Sequence, residues 1–222
     1  PTGVAAINAG GMTIHSFFQL PLSPFVPNTN IKNRFDYSKE KRKIMRTLDL
    51  LIIDEISMVR ADVLDAIDSV LRRFREPDKP FGGVQLLMIG DLQQLTPVVT
   101  PEEEELLRQH YDTPYFFGSK ALRSISYVTI ELMHVYRQQD ETFITLLNNI
   151  REGKVSADDL QRLNERYDPS FQPKEGSDYI RLTTHNRMAE SYNEDQLRKL
   201  PTKAYTFSAE TDGNFPEYNY PT

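Results

Sequence analysis

The chain has 222 residues, of which 39% are apolar and 26% charged, enough core-forming material for one large domain or one and a half smaller ones. It has no cysteine, which excludes disulfides and zinc–thiolate centres. A net charge of −6 and a pI near 5.3 withhold the global basic footprint of a nucleic-acid binder, though a local basic groove stays compatible with them.

In chain order, "PTGVAAINAGG" reads as a strand end or turn entering a short helix that Gly10-Gly11 breaks. Leu20–Phe35 holds three prolines and no periodicity, so it reads as a loop or small insert. "KEKRKIMR" (Lys39–Arg46) is a basic helical segment. "LDLLIID" is a continuous apolar run, the mark of a strand buried on both faces. Val63, Leu64, Ile67, Val70, Leu71 and Phe74 then recur at helical spacing. Val84–Asp91 is a second buried strand and Tyr127–Leu132 a third. Asp140 can cap a helix with the stripe Phe143, Leu146, Leu147 and Ile150, and Gly153 lies just past its end. Ser156 and Asp159 fit a capping box for the next helix. A strand at Tyr179–Thr184 and a helix at Arg187–Leu200 follow. Strands alternating with helices predict an α/β fold with a mostly parallel sheet. A polar, Pro- and Gly-containing stretch from Glu165 to Ser177 suggests a domain boundary.

The chemistry sits at the strand ends. "LDLLIIDEISMV" places Asp54 and Glu55 at the carboxyl end of an apolar strand, where open parallel sheets hold ligands. This is the Walker B pattern. The Asp would hold Mg²⁺, and the Glu would polarise the water that attacks a γ-phosphate. A strand ending in a solvated turn explains the same residues equally well. "GDLQQLTPV" ends a second strand in Gly90-Asp91, and a glutamine that can reach a γ-phosphate oxygen follows. A polar loop is the plainer account of that stretch taken alone. Arg137 follows a strand and precedes a capped helix, where an arginine can reach a phosphate; an ordinary ion pair is the commoner explanation of a lone arginine. Thr2-Gly3 at a helix start offers a hydroxyl and free backbone N–H groups to an anion. In "TIHSFF", His15, Phe17 and Phe18 can stack on bases, or the phenylalanines can be core. The four histidines are scattered, with no i, i+4 metal pair.

Taken in order, "PTGVAAINAGGMTIHSFF", "LLIIDEISMV", "FGGVQLLMIGDLQQLTPV" and "ELMHVYRQQDETFITLLNNIREG" closely resemble the Pif-type (petite integration frequency) helicases of superfamily one, relatives of RecD. "YIRLTTHNRMAESYNEDQL" resembles the start of that family's second RecA-like domain. The resemblance covers most of the chain from Pro1 to about Leu200. It implies a RecA-like P-loop NTPase fold, with a first domain over 1–165, a linker over 166–177 and the beginning of a second domain over 178–222. It also implies a motor that uses ATP and Mg²⁺ to walk 5′-to-3′ on single-stranded DNA and to unwind duplexes at junctions, in DNA repair, recombination and telomere maintenance. Residue by residue, Asp54 matches the magnesium-binding acid and Glu55 the catalytic base. Gln94, rather than its neighbour Gln93, matches the glutamine near the γ-phosphate, with Asp91 beside the nucleotide. Arg137 matches the arginine that reaches the phosphates. Thr2, Gly3, Thr13, His15 and Ser16 match segments lining the DNA path, as His185 and Asn186 do in the second domain. The insert at 20–35 sits where the family carries a wedge against the duplex.

The family's phosphate loop, G-x-x-x-x-G-K-[ST], does not occur in the chain; Gly153-Lys154 is followed by valine and lacks the earlier glycine. The expectation is a fragment whose loop lies upstream of Pro1 and whose closing motifs lie beyond Thr222. No signal-peptide pattern opens the chain, and no apolar run approaches the ~20 residues of a membrane span. An intracellular protein is therefore expected, cytoplasmic or nucleoid-associated if bacterial, with no membrane partner. Two rival functions stand beside the motor. One is a non-catalytic module, derived from a helicase, that holds single-stranded DNA or a protein. The other is a non-helicase ATPase sharing only the acidic strand end.

Overall fold

Helices α1 (Gly3–Asn8), α2 (Ile14–Phe18) and α3 (Lys39–Thr47) precede strand β1 (Leu50–Ile53), and α4 (Ala61–Phe74) leads to β2 (Gln85–Met88). Helices α5 (Pro101–Arg108), α6 (Lys120–Arg123), α7 (Glu141–Arg151), α8 (Ala157–Asn164) and α9 (Asn186–Arg198) follow. This computed structural model describes residues 3–26, 37–174, 177, 179–205 and 207–208. The chain divides into two units, Pro1–Ala157 and Asp158–Thr222.

In the first unit, β1 and β2 pair in parallel, from Leu50 opposite Gln85 to Ile53 opposite Met88. Parallel partners need a crossover, and α4 provides it. The apolar stripe read from the sequence faces inward: Leu64, Ile67 and Leu71 are fully buried. They form one core with Phe18, Met45, Phe81, Val84 and Leu122. Asp62 in the first turn and Arg72 and Arg73 in the last suit the helix dipole, and Arg72 pairs with Asp68 one turn back at 2.8 Å. The chain leaves α4 through a tight turn at Pro80–Gly83. Gly82 has φ +60 there, and a Cβ would lie 2.7 Å from the Leu71 carbonyl oxygen, so only glycine fits.

The helix ends follow their chemistry. Asp140 caps α7 by accepting the Phe143 N–H at 3.0 Å, and Gly153 takes φ +68 beyond its end. The Gly10-Gly11 break closes α1, with the Gly11 N–H donating to the Ala6 carbonyl at 2.8 Å. Helix α8 starts directly after Ser156. Helix α5 begins on a full capping box between Thr100 and Glu103, with Pro101 in its first turn.

Three expectations need correction. Tyr127–Leu132 forms no strand, and Val128, Ile130 and Leu132 are largely exposed. Tyr179–Thr184 likewise forms none among the described residues. A strand needs a neighbour to take its backbone N–H and C=O groups, and β1–β2 is the only sheet among the described residues. For the same reason β1 and β2 are not buried on both faces. Ile53 is buried, but Leu50, Ile52, Leu87 and Ile89 keep wide exposure. Ile52 lines a cleft also walled by Ala6, Met12 and Phe17, with Asp54 at its margin.

The second unit holds α9 and all of α8 beyond Ala157. Its side chains meet in small local contacts, such as Phe171 against Tyr179 with ring centroids 5.1 Å apart and the Arg181 guanidinium 4.0 Å above the Tyr192 ring.

Candidate functional site

The parallel ladder continues past both strands. The Ile89 N–H donates to the Ile53 carbonyl, and the Ile56 N–H donates to the Ile89 carbonyl, each at 2.9 Å. Between those bonds the chain swings out at Asp54-Glu55, so this pair and Gly90-Asp91 emerge from neighbouring strand ends. The Asp54 Oδ1 accepts the Glu55 N–H at 2.9 Å. Glu55 adopts φ 53 and ψ 45, a left-handed conformation that costs a non-glycine residue about 1–2 kcal/mol and is concentrated at functional sites. A helical turn at Ile56–Met58 follows at once and fixes the bend.

Gly90 makes this geometry possible. A Cβ there would lie 2.9 Å from Ile56 Cγ2, 3.0 Å from the Ile56 nitrogen and 3.1 Å from the Ser57 nitrogen. Two of those three atoms are backbone, so the turn behind Glu55 would have to move. Gly90→Ala is expected to destabilise the fold by about 1–3 kcal/mol and to lower turnover in step. A urea midpoint equal to the parent's would show that the contact is not confining.

Beyond Gly90, Asp91 organises the loop. Its carboxylate accepts the Gln94 side-chain amide at 2.8 Å, the Gln93 backbone N–H at 3.0 Å and the Arg151 guanidinium at 3.1 Å. The Gln94 bond chiefly, then Gln93 and Arg151, hold the Asp91 carboxyl below its ordinary 3.8 despite slight burial. The Arg151 Nε also donates to the Gln93 side-chain oxygen. Arg151 stands in the last turn of α7, so the helix after "VYRQQD" clamps the loop carrying both glutamines. Sequence reasoning missed Arg151: it showed only as a basic residue near a helix end, and its acceptors lie about sixty positions earlier. Arg137 is exposed and makes no hydrogen bond or ion pair among the described residues. The structure therefore brings Asp54, Glu55, Asp91 and Gln94 to one end of the sheet but gives Arg137 no contact with them.

The residues expected along a DNA path divide. Thr2 lies outside the described residues, as does most of the insert at 20–35. Gly3 opens α1 with open space around its α-carbon. Thr13 caps α2, accepting the exposed Ser16 N–H at 3.4 Å. His15 is half-buried; burial first, then the Arg60 charge, push its pKa below 6.5 against the opposing pull of Asp62. Phe18 is core, only 1% exposed, which removes it as a base-stacking residue. Phe17 lies edge-on to it at 4.9 Å and carries the Lys41 ammonium 3.9 Å above its ring. Beneath His15, the buried Asp62 takes both the Arg60 guanidinium at 2.8 Å and the Phe25 N–H at 2.9 Å, tying the start of the insert to α4. In the second unit, His185 precedes α9 and its Nδ1 lies 2.8 Å from the Thr184 hydroxyl, while Asn186 is the first helical residue.

The donor set suits one divalent cation carried with a phosphate. Asp54 is exposed, and one of its oxygens takes the Glu55 N–H. No group of three acidic or histidine side chains able to form an all-protein metal cage occurs among the described residues. Mg²⁺ is commonly held in this way, by one or two carboxylates, water and substrate phosphates.

A sheet end of this kind is shared by many nucleotide-binding proteins, and comparison narrows the choice. The model of the PIF1-like helicases matches residues 1–161. The chain belongs to the PIF1-like helicase family. Among curated PIF1-like relatives, ATP-dependent DNA helicase PIF1 of Homo sapiens is 36% identical over 214 residues, covering 94% of this chain and 31% of the relative. ATP-dependent DNA helicase RRM3 of Saccharomyces cerevisiae is 33% identical over 211 residues, with 94% and 28% covered. Among solved PIF1-like structures, the Pif1 helicase from Bacteroides in complex with ADP-AlF3 and ssDNA has a TM-score of 0.90 at 41% identity, covering 100% of this chain and 51% of that one. Pif1 helicase from Candida albicans has a TM-score of 0.75 at 32% identity, with 98% and 47% covered. The fold is accordingly the RecA-like α/β fold of these helicases. The chain spans about 31% of the length of the curated relative from Homo sapiens.

Proposed function

We propose that this chain supplies the hydrolytic half-site of an ATP-dependent DNA helicase that moves 5′-to-3′ on single-stranded DNA and opens duplex junctions. The observation that carries the proposal is the pairing of β1 with β2, which sets Asp54-Glu55 beside Gly90-Asp91 and holds Gln94 on Asp91. The names of the PIF1-like relatives and the ADP-AlF3 and ssDNA in the Bacteroides complex support it. In this mechanism Asp54 holds the cation and Glu55, on its left-handed turn, orients and deprotonates the attacking water. Mg²⁺, when bound, neutralises charge on the phosphate oxygens. Gln94 reports the γ-phosphate through Asp91 and Arg151 to α7, and Arg137 reaches the phosphates. Catalysis is then mostly positioning and charge stabilisation. His15, neutral near pH 7, contacts the strand by hydrogen bonding or stacking, together with Thr2, Gly3, Thr13 and Ser16, and with His185 and Asn186 in the other domain. Residues 1–165 form the first RecA-like domain, 166–177 the linker and 178–222 the start of the second. The protein acts inside the cell, in DNA repair, recombination and telomere maintenance.

A non-catalytic strand-binding module derived from a helicase is the alternative reading. ATP turnover by the complete protein, with and without a dT oligonucleotide, decides between them. Stimulated turnover is expected. Strand binding with no turnover in either condition overturns the motor.

A further inference from the structure

Arg60 stands at the N-cap of α4, five residues after Glu55. Its side chain is 11% exposed and that of its partner Asp62 1%, against 50% and 81% for the surface pair Arg123–Asp112. The guanidinium holds two carboxylates at once. Nε and Nη2 donate to the two Asp62 oxygens at 2.9 and 2.8 Å, and Nη1 donates to Glu103 Oε1 at 2.8 Å. Each carboxylate in turn takes a backbone N–H from a different segment. Asp62 Oδ2 accepts from Phe25, at the start of the insert, at 2.9 Å. Glu103 Oε2 accepts from Thr100, where the loop after Gln94 ends, at 3.0 Å. A continuous path of hydrogen bonds therefore runs from Phe25 to Thr100, with one guanidinium at its centre. Arg60 also lines one cleft together with His15 and Val98, so a residue expected on the DNA path and one from the glutamine loop border the same space.

Stability is a weak reason for such a network. Taking an ion pair out of water costs much of what the attraction returns, and a packed apolar replacement is often as stable. Buried, directional charge pairs are better suited to fixing one arrangement of the segments they join. Arginine suits the centre because its planar fork engages both carboxylates at once, which an ammonium cannot do in the same geometry. We propose that Arg60 is a positioning residue that couples the strand-binding side of the domain to the loop carrying Gln94, so that DNA accelerates ATP turnover through Asp62, Arg60 and Glu103. The proposal rests on the chain serving a DNA helicase. A strand settling against His15 and the insert shifts the Phe25 end of the path. The Arg60 fork passes that shift to Thr100, six residues beyond Gln94. Arg151 holds the other end of the loop at Asp91, so movement at Thr100 bears on the glutamines between.

The test is steady-state ATP turnover of the complete protein across a titration with a dT oligonucleotide. Glu103→Gln keeps the capping box, which accepts glutamine at that position, but removes the charge that draws the guanidinium. Its turnover without DNA and its KM for ATP are expected to equal the parent's. Its plateau with dT is expected to fall about 5-fold or more, the lower end of the usual coupling between sites. Arg60→Lys keeps the charge and loses the fork, with the same outcome expected. The double variant falls no further than either single one, because both cut one path. A dT plateau at the parent's level in Glu103→Gln overturns the proposal. So does an equal fall with and without DNA, the mark of a purely structural support, and so do additive losses in the double variant. If the unmodified protein shows no stimulation by dT, the motor reading falls and the coupling with it, a result distinct from a stimulated parent whose variants match it.

Discussion

Replacing Glu55 with glutamine in the complete protein is expected to lower ATP turnover by about 10²- to 10⁴-fold, the usual worth of a positioned general base, while nucleotide affinity changes little. Glutamine has almost the same shape as glutamate, so the left-handed turn at φ 53 and the bond from the residue 55 N–H to Asp54 survive the change. What disappears is a carboxylate able to take a proton from water. Equilibrium binding of a fluorescent ATP analogue together with single-turnover hydrolysis separates the two effects. Equal turnover in the variant would remove Glu55 from its role. Loss of affinity in proportion to turnover would instead make Glu55 a binding residue.

The largest effect on stability is expected far from that turn. Asp65, on the inner side of α4, is 8% exposed. Its Oδ1 accepts the Ser119 hydroxyl at 2.5 Å and the Ala121 N–H at 3.0 Å, and its Oδ2 accepts the Lys120 N–H at 3.2 Å. The Ser119 Oγ in turn accepts the Leu122 N–H at 3.1 Å and so caps α6. One carboxylate therefore holds the start of a helix more than fifty residues away. Asp65→Ala leaves those donors without an acceptor, each at a cost of about 1–3 kcal/mol, and about 3–5 kcal/mol is expected in sum because the losses overlap. Asp65→Asn keeps one acceptor oxygen and should fall between. The same carboxylate, after burial itself, pushes the Tyr111 hydroxyl pKa far up, so removing it should bring that value down. Urea unfolding of both variants is the check; a cost under 1 kcal/mol for Asp65→Ala would show that water replaces the bonds.

Where a signal was local, the sequence carried it. The α4 stripe, the Asp140 cap, the Gly10-Gly11 break and the apolar runs ending in acids all express interactions within a few residues, and the structure reproduces each. Thr100-Pro101 with Glu103 was equally legible as a helix start and was passed over. The failures have a common cause. "YVTIEL" and "YIRLTT" have strand composition, but strand formation depends on a neighbour, which no local pattern reports. The Arg60–Asp62–Glu103 cluster, the Asp65 hub and the Arg151 clamp join positions 43 to 60 residues apart, apart from the Arg60–Asp62 link itself. Their members look like ordinary surface charges until the chain is folded. Recognition of the family pointed to Asp54, Glu55 and Gln94 as candidates, because its motifs are read in order along the chain, but it said nothing of what holds them.

The parallel register between β1 and β2 also fixes when the site can come into being. Leu50 meets Gln85 only after α4 and the Pro80–Gly83 turn have closed the long loop between them, and loop-closure entropy must be met before the pairing gives anything back. No local piece of chain can assemble the Asp54 and Asp91 ends in advance. Substitutions in the α4 stripe should therefore slow folding, whereas changes in the loop after Gly90 should mainly hasten unfolding. A nascent chain released before residue 88 would carry Asp54 and Glu55 with nothing opposite them.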